Sequence, residues 1–189
     1  MIRLSKDSDF IAQNWKTVTD ILEAKSGLDK ELADILYSLQ ERLVSEPWWN
    51  SKWLTRLYRN DQVYITNAEW QYGDADLIWI GLENFNAGSI FGNNPGPQLY
   101  VWIAESRTGL AKILKSLFDG HEQQTGDLDP RDNSRYVIRR YLQKRLPGEK
   151  GDLERYLEQL LEQTIYFISH YAQVLEKQQY DAETLIQYR

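Results

Sequence analysis

Cysteine is absent from this sequence, which removes disulfides, thiolate nucleophiles and every zinc site built on sulfur. Histidine is nearly absent. His121 falls in a polar stretch and His170 in a helical pattern, and neither has a carboxylate or second histidine at ligand spacing. No apolar run approaches the length of a membrane span, and the opening Met-Ile-Arg-Leu-Ser-Lys-Asp holds no signal-type apolar segment. The expectation is a cytoplasmic chain with no membrane partner. The glycine motifs that cradle phosphates or raise a nucleophilic serine are missing too. "GSIFGNNPGP" has the glycines but neither the lysine nor the following helix, and reads as a hairpin loop. Positive charge is in deficit, at net -6, so any grip on nucleic acid would need a local basic patch.

What remains is an ordinary globular composition with an unusual aromatic load. Hydrophobic residues make up 42% of 189, and seven tryptophans and twelve tyrosines supply much of the apolar volume. A chain of this length suits one domain; no repeat, low-complexity tract or linker divides it.

Ile11, Trp15, Val18 and Leu22 recur at helical spacing and predict a helix over about residues 8 to 25. Gly27 supplies a stop and Asp29 a cap for a second helix. That helix carries Leu32, Ile35, Leu36, Leu39 and Leu43 until Glu46-Pro47. The short Ser26-Gly27-Leu28 link predicts a helical hairpin. In "PWWNSKWLTRLYRN" the rings of Trp48, Trp49 and Trp53 alternate with Lys52, Arg56 and Arg59. That mixture can stack bases, but rings at this density more often build core while the basic tips reach water.

Strand signals follow at 62–66, 77–85 and 99–105, the last two joined by a Gly, Asn and Pro-rich loop and expected to pair antiparallel. "RTGLAKILKSLFDG" reads as a short helix, and "HEQQTGDLDPRDNS" as an exposed loop whose aspartates fail the calcium-loop pattern. "RYVIRRYLQ" is ambiguous, its β-branched and aromatic content favouring strand. From Asp152 to Lys177, Leu153, Leu157, Leu160, Leu161, Ile165, Ile168, Ala172 and Leu175 line one side of a long helix. The expected fold is α+β: an N-terminal helical hairpin, a central mixed or antiparallel sheet of about four strands, an intervening short helix and a long C-terminal amphipathic helix.

That order, over roughly Asp29 to Leu142, resembles the core of the PD-(D/E)xK nuclease superfamily. The resemblance implies that Asp76, with Asp74 as a substitute, takes the place of the family's aspartate, and Glu105 that of its glutamate. Arg107 stands where the lysine belongs, and arginine keeps its proton and makes a poor base. Simple alternation places Asp76 on the face of Ile78, Ile80 and Leu82, at the corner where Glu105 ends its strand. Two carboxylates there could hold magnesium, with Glu41 or Glu69 completing the set; solvated strand ends and an Arg107–Glu105 pair explain the same residues.

A second feature is a basic run, Arg131, Arg135, Arg139, Arg140, Lys144, Arg145 and Lys150, in an otherwise acidic chain. It suggests a docking patch for an acidic protein face or for phosphate backbone. Neutralisation by Glu154, Glu158 and Glu162 is the internal alternative. The reading reached from sequence is a non-catalytic accessory protein of a prokaryotic or phage cytosol. It would act through a protein partner, with local nucleic-acid contact open and no cofactor; the alternative is a magnesium-dependent nuclease.

Overall fold

The computed structural model describes residues 5–92, 95–104, 114, 116–117, 135–145 and 151–178. Helices lead: α1 (Lys6–Gln13), capped by the Ser5 hydroxyl, and α2 (Trp15–Val44). Five strands then build one antiparallel sheet: β1 (Trp53–Tyr58), β2 (Gln62–Asn67), β5 (Ile78–Glu83), β6 (Gln98–Ile103) and β7 (Tyr136–Tyr141), in that order across the sheet. Between β2 and β5 a small ribbon of β3 (Gln71–Tyr72) and β4 (Ala75–Asp76) is inserted. A single turn, α3 (Ala87–Ile90), precedes β6, and α4 (Leu153–Glu176) closes the described chain. The fold is mixed α+β, and no described helix is long and apolar enough to cross a membrane.

Pairing of β5 with β6 is as expected, from Ile78 opposite Ile103 to Glu83 opposite Gln98. β7 adds to β6, slipping register between Val101 and Trp102. β1 is the strand that the sequence reading passed over. Its alternation, Trp53, Thr55 and Leu57 against Leu54, Arg56 and Tyr58, lies inside the aromatic–basic run. The turn to β2 has no glycine, since Arg59 and Asn60 themselves adopt positive φ of 54° and 60°. The sheet therefore has five strands, not four.

No hairpin forms at Ser26-Gly27-Leu28. Gly27 lies inside α2, where glycine costs about 1 kcal/mol relative to alanine. The Lys25–Asp29 ion pair, 2.6 Å across one helical turn, spans the position. The break falls instead at Asn14, whose N–H and side-chain amide both return to the Phe10 carbonyl.

Alternation divides the sheet chemically. On one side Trp53, Val63, Ile65, Ile78, Ile80, Leu82, Leu99, Val101 and Ile103 are buried. The amide of Gln40 in α2 donates to Thr55 on that side at 3.0 Å, so this is the helix-covered face. α2 delivers Leu32, Leu36, Leu39 and Leu43, and α4 delivers Leu157, Leu161, Phe167 and Ile168, all buried; Ile165 is half-buried. The indoles of Trp48, Trp53 and Trp70 meet edge to face at 5.5 and 5.2 Å, and the Trp48 N–H donates to Ser169 of α4 at 2.8 Å. Trp53 and Trp70 are core, and Trp48 packs half-buried against it. Their basic neighbours turn outward, Lys52 to Glu69 at 2.8 Å and Arg59 over the ring of Tyr58.

Candidate functional site

The opposite face of the sheet is polar and aromatic. Tyr64, Trp79 and Trp102, on β2, β5 and β6, stack in a row with centroids 4.4 and 4.2 Å apart, and the Arg135 guanidinium stands 6.0 Å from the Trp102 ring. Because the rings stack on one another, most of their π-surface is already used. Tyr100 and Tyr136 meet edge to face at 5.9 Å beside this row. Gly81 lies between Tyr64 and Tyr100 in the register. A Cβ on Gly81 would come within 2.3 Å of the Val63 carbonyl.

Asp76 sits at one corner of this face, not with Ile78, Ile80 and Leu82. Its strand, β4, pairs with β3, and Leu77 breaks the alternation by donating its N–H back to Trp70 at 2.9 Å. The carboxylate consequently reaches Tyr64 and Arg56. Its Oδ1 accepts from the Gln71 amide at 2.7 Å, its Oδ2 from the Tyr64 hydroxyl at 3.4 Å, and Arg56 stands 4.0 Å away. Burial and the Asp76 charge push the Tyr64 hydroxyl up to about 12. Glu105 and Arg107, the other members of the sequence-derived set, lie outside the described residues. Glu41 lies on α2 and Glu69 pairs with Lys52, and among the described residues no three carboxylate or histidine groups stand together as a metal site needs.

Sequence reasoning missed Glu83, at the far end of the same face. Its Oε1 accepts from the Tyr136 hydroxyl at 2.7 Å and from the Gln98 amide, and Gln98 in turn accepts from Arg139 at 2.5 Å. Gln62 donates to the buried Tyr100 hydroxyl at 2.6 Å alongside. Burial raises the Glu83 carboxyl above the ordinary glutamate range; the bonds from Tyr136 and Gln98 and the Arg139 charge pull the other way. The only signal in the sequence was an acidic residue closing an apolar strand. Its partners come from β6 and β7, and no spacing rule connects them.

Among the described residues the basic run is divided between the two sides of the edge strand and the segment that follows it. Arg139 turns to the polar face, over the rings of Tyr136 and Tyr141 at 4.6 and 5.4 Å, while Arg140, opposite Leu99, points to the other side of the edge strand. The Lys144 ammonium donates to the Gly92 carbonyl at 3.2 Å and Arg145 to Gly151 at 2.6 Å. Arg131 and Lys150 lie outside the described residues. Neutralisation by α4 is not what Glu158 shows, since it pairs with Arg42 at 2.8 Å.

Two grooves lie elsewhere. One of about 670 Å³ runs between α2 and α4, with Glu41, Glu46 and Glu162 on its walls; one of about 210 Å³ lies beside the start of α4. Asp76 and Glu83 line neither.

The largest departure from a buried-core pattern is at the N-terminus. Trp15 is 67% exposed, Phe10 63%, Ile21 61%, Leu22 60% and Ile11 41%, and no described side chain from Ser5 to Gly27 is buried. Thus α1 and the first half of α2 form an arm beyond the packed body. Its stripe is the one legible in the sequence, and nothing in the described fold covers it. No protein family, curated protein or solved structure matches the chain.

Proposed function

We propose that this chain acts by binding another polypeptide, as an accessory protein and not by turnover, and that the N-terminal arm is the docking element. The observation that carries the reading is the uncovered apolar stripe. Monomeric proteins seldom leave contiguous apolar surface of this kind in water, and patches that are left mark interaction sites. An arm offering side chains at position 11 on α1 and at 15, 18 and 22 on α2 has the spacing with which amphipathic helices engage partners. Lysine-directed cross-linking in cells that naturally contain the protein tests this. Intermolecular links should concentrate at Lys16 and Lys25, the lysines on the α2 part of the arm, and disappear when Trp15 and Leu22 are both replaced by Asp in a chain that still folds. Links confined to other surfaces would overturn it.

The nuclease reading keeps one supporting observation. The Ala104 N–H donates to the Leu77 carbonyl at 3.0 Å, which brings the chain just before Glu105 alongside the residue after Asp76. Against it, both Asp76 oxygens are bonded and a guanidinium stands where a dication would need room. Purified protein with magnesium or manganese should leave DNA and RNA intact; metal-dependent cutting lost in Asp76→Asn would establish the enzyme instead.

A further inference from the structure

The arm stripe and the core face of α2 are one seam. From Ile11 the spacing runs four, three, four through Trp15, Val18 and Leu22, then three and four through Lys25 and Asp29, and resumes through Leu32, Leu36, Leu39 and Leu43. This alternation is the heptad a/d pattern of a coiled-coil seam. In the body half Leu32, Leu36, Leu39 and Leu43 are 0–1% exposed, whereas in the arm half the same seam is open. Lys25 and Asp29 divide the two halves. They pair with each other, and Asp29 also accepts the Ala87 N–H at 3.0 Å, which marks where the body begins.

Resting on the docking reading above, we infer that the arm's occupant is the arm of a second copy, packed antiparallel along this seam. Two features select that occupant. Between Ile11 and Leu22 the flanking e and g positions, Ala12, Asn14, Thr19 and Ile21, carry no charge, and the charged residues of that span, Lys16 and Asp20, fall on the far side. A two-fold pair therefore meets no like-charge conflict, and a charged partner finds nothing to complement. The exposed side chains of Ile11, Trp15, Ile21 and Leu22 offer about 400 Å² of apolar surface per copy, or about 800 Å² for the pair. With the roughly 65% apolar share of homodimer interfaces, that corresponds to a total in the lower range of specific interfaces.

Geometry fixes the direction. From Asp29 onward the seam side of α2 is occupied by the chain's own body, so a parallel partner would bring its body to the same place. Antiparallel arms set the bodies at opposite ends, separated by a helix stretch of about 20 Å from Trp15 to Leu28. Full overlap puts Ile11 against Leu22 of the second copy and Trp15 against Val18 of the second copy, a large residue facing a smaller one in the central layers.

Sedimentation equilibrium of the purified chain should give twice 22.3 kDa at micromolar concentration and above. Trp15→Lys or Leu22→Lys should return it to a monomer with an unchanged circular dichroism spectrum, and Lys16→Glu should leave the dimer intact. Because the chain has no cysteine, direction can be read directly. Protein carrying Ile11→Cys mixed with protein carrying Leu22→Cys should form a disulfide-linked heterodimer on mild oxidation. Either variant cross-linking efficiently to itself would mean a parallel pair and overturn the arrangement. A chain monomeric at 100 micromolar would overturn self-pairing. If Lys16 and Lys25 still cross-linked to a different polypeptide, the docking reading would stand without it.

Discussion

Leu36 and Leu22 occupy the same seam of one helix two heptads apart, yet Leu36 is fully buried and Leu22 is 60% exposed. Replacing each by alanine measures what the body contributes that the helix alone does not. At Leu36 the change removes buried methyl groups from among Leu32, Leu39 and the sheet and leaves a cavity, which costs about 3–4 kcal/mol. At Leu22 most of the side chain is already in water, and alanine is the better helix former, so the loss should stay within about 0.5 kcal/mol. For a chain of this size each kcal/mol moves the melting midpoint by about 2–4 °C, so Leu36→Ala should melt about 6–16 °C early and Leu22→Ala within about 2 °C of the parent. Guanidinium unfolding followed by tryptophan fluorescence provides the same comparison at equilibrium. Both variants should be measured at a dilution where the chain sediments as a monomer. At higher concentration pairing adds to the apparent stability, and Leu22→Ala should then lose ground that it does not lose when dilute. A Leu22→Ala cost equal to that of Leu36→Ala in the dilute chain would refute the argument, because it would mean the arm is packed within one copy.

Two further substitutions probe the polar face. Burial raises the Glu83 carboxyl in the folded chain, so ionising it favours unfolding. The stability of the parent relative to Glu83→Gln should decline as pH rises from the ordinary glutamate range through the raised value, then level off. Melting midpoints from about pH 4 to about pH 8 check this, and a stability of the parent relative to Glu83→Gln that rose with pH would reverse the assignment. Gly81→Ala should cost about 3 kcal/mol, since its Cβ would lie 2.3 Å from the Val63 carbonyl and 2.7 Å from the Tyr64 Cβ; a parent-like unfolding midpoint would show that β2 and β5 yield there.

The sequence by itself determined what local periodicity can encode. Apolar residues at helical spacing placed α4 and the body half of α2, and β-forming content, with alternation in β6, placed β2, β5, β6 and β7, because each signal depends on neighbours within a few positions. The aromatic density of Trp48 to Trp53 correctly pointed to core. Local rules failed where an element's fate lay with distant residues. Gly27 read as a stop, although ion pairing around it and the packed leucines beyond keep the helix continuous. β1 was hidden by its charges and a turn without glycine, and it becomes a strand by pairing with β2. Asp76 changed faces because Leu77 bonds back to Trp70, and Glu83 gained its hydrogen-bond donors from β6 and β7. The arm is the plainest case. Its stripe repeats the seam of Leu32 to Leu43, and the sequence marks both halves alike as apolar. Only the tertiary structure decided that one half is covered by the sheet and α4 while the other extends past them, because burial depends on what the rest of the chain brings alongside.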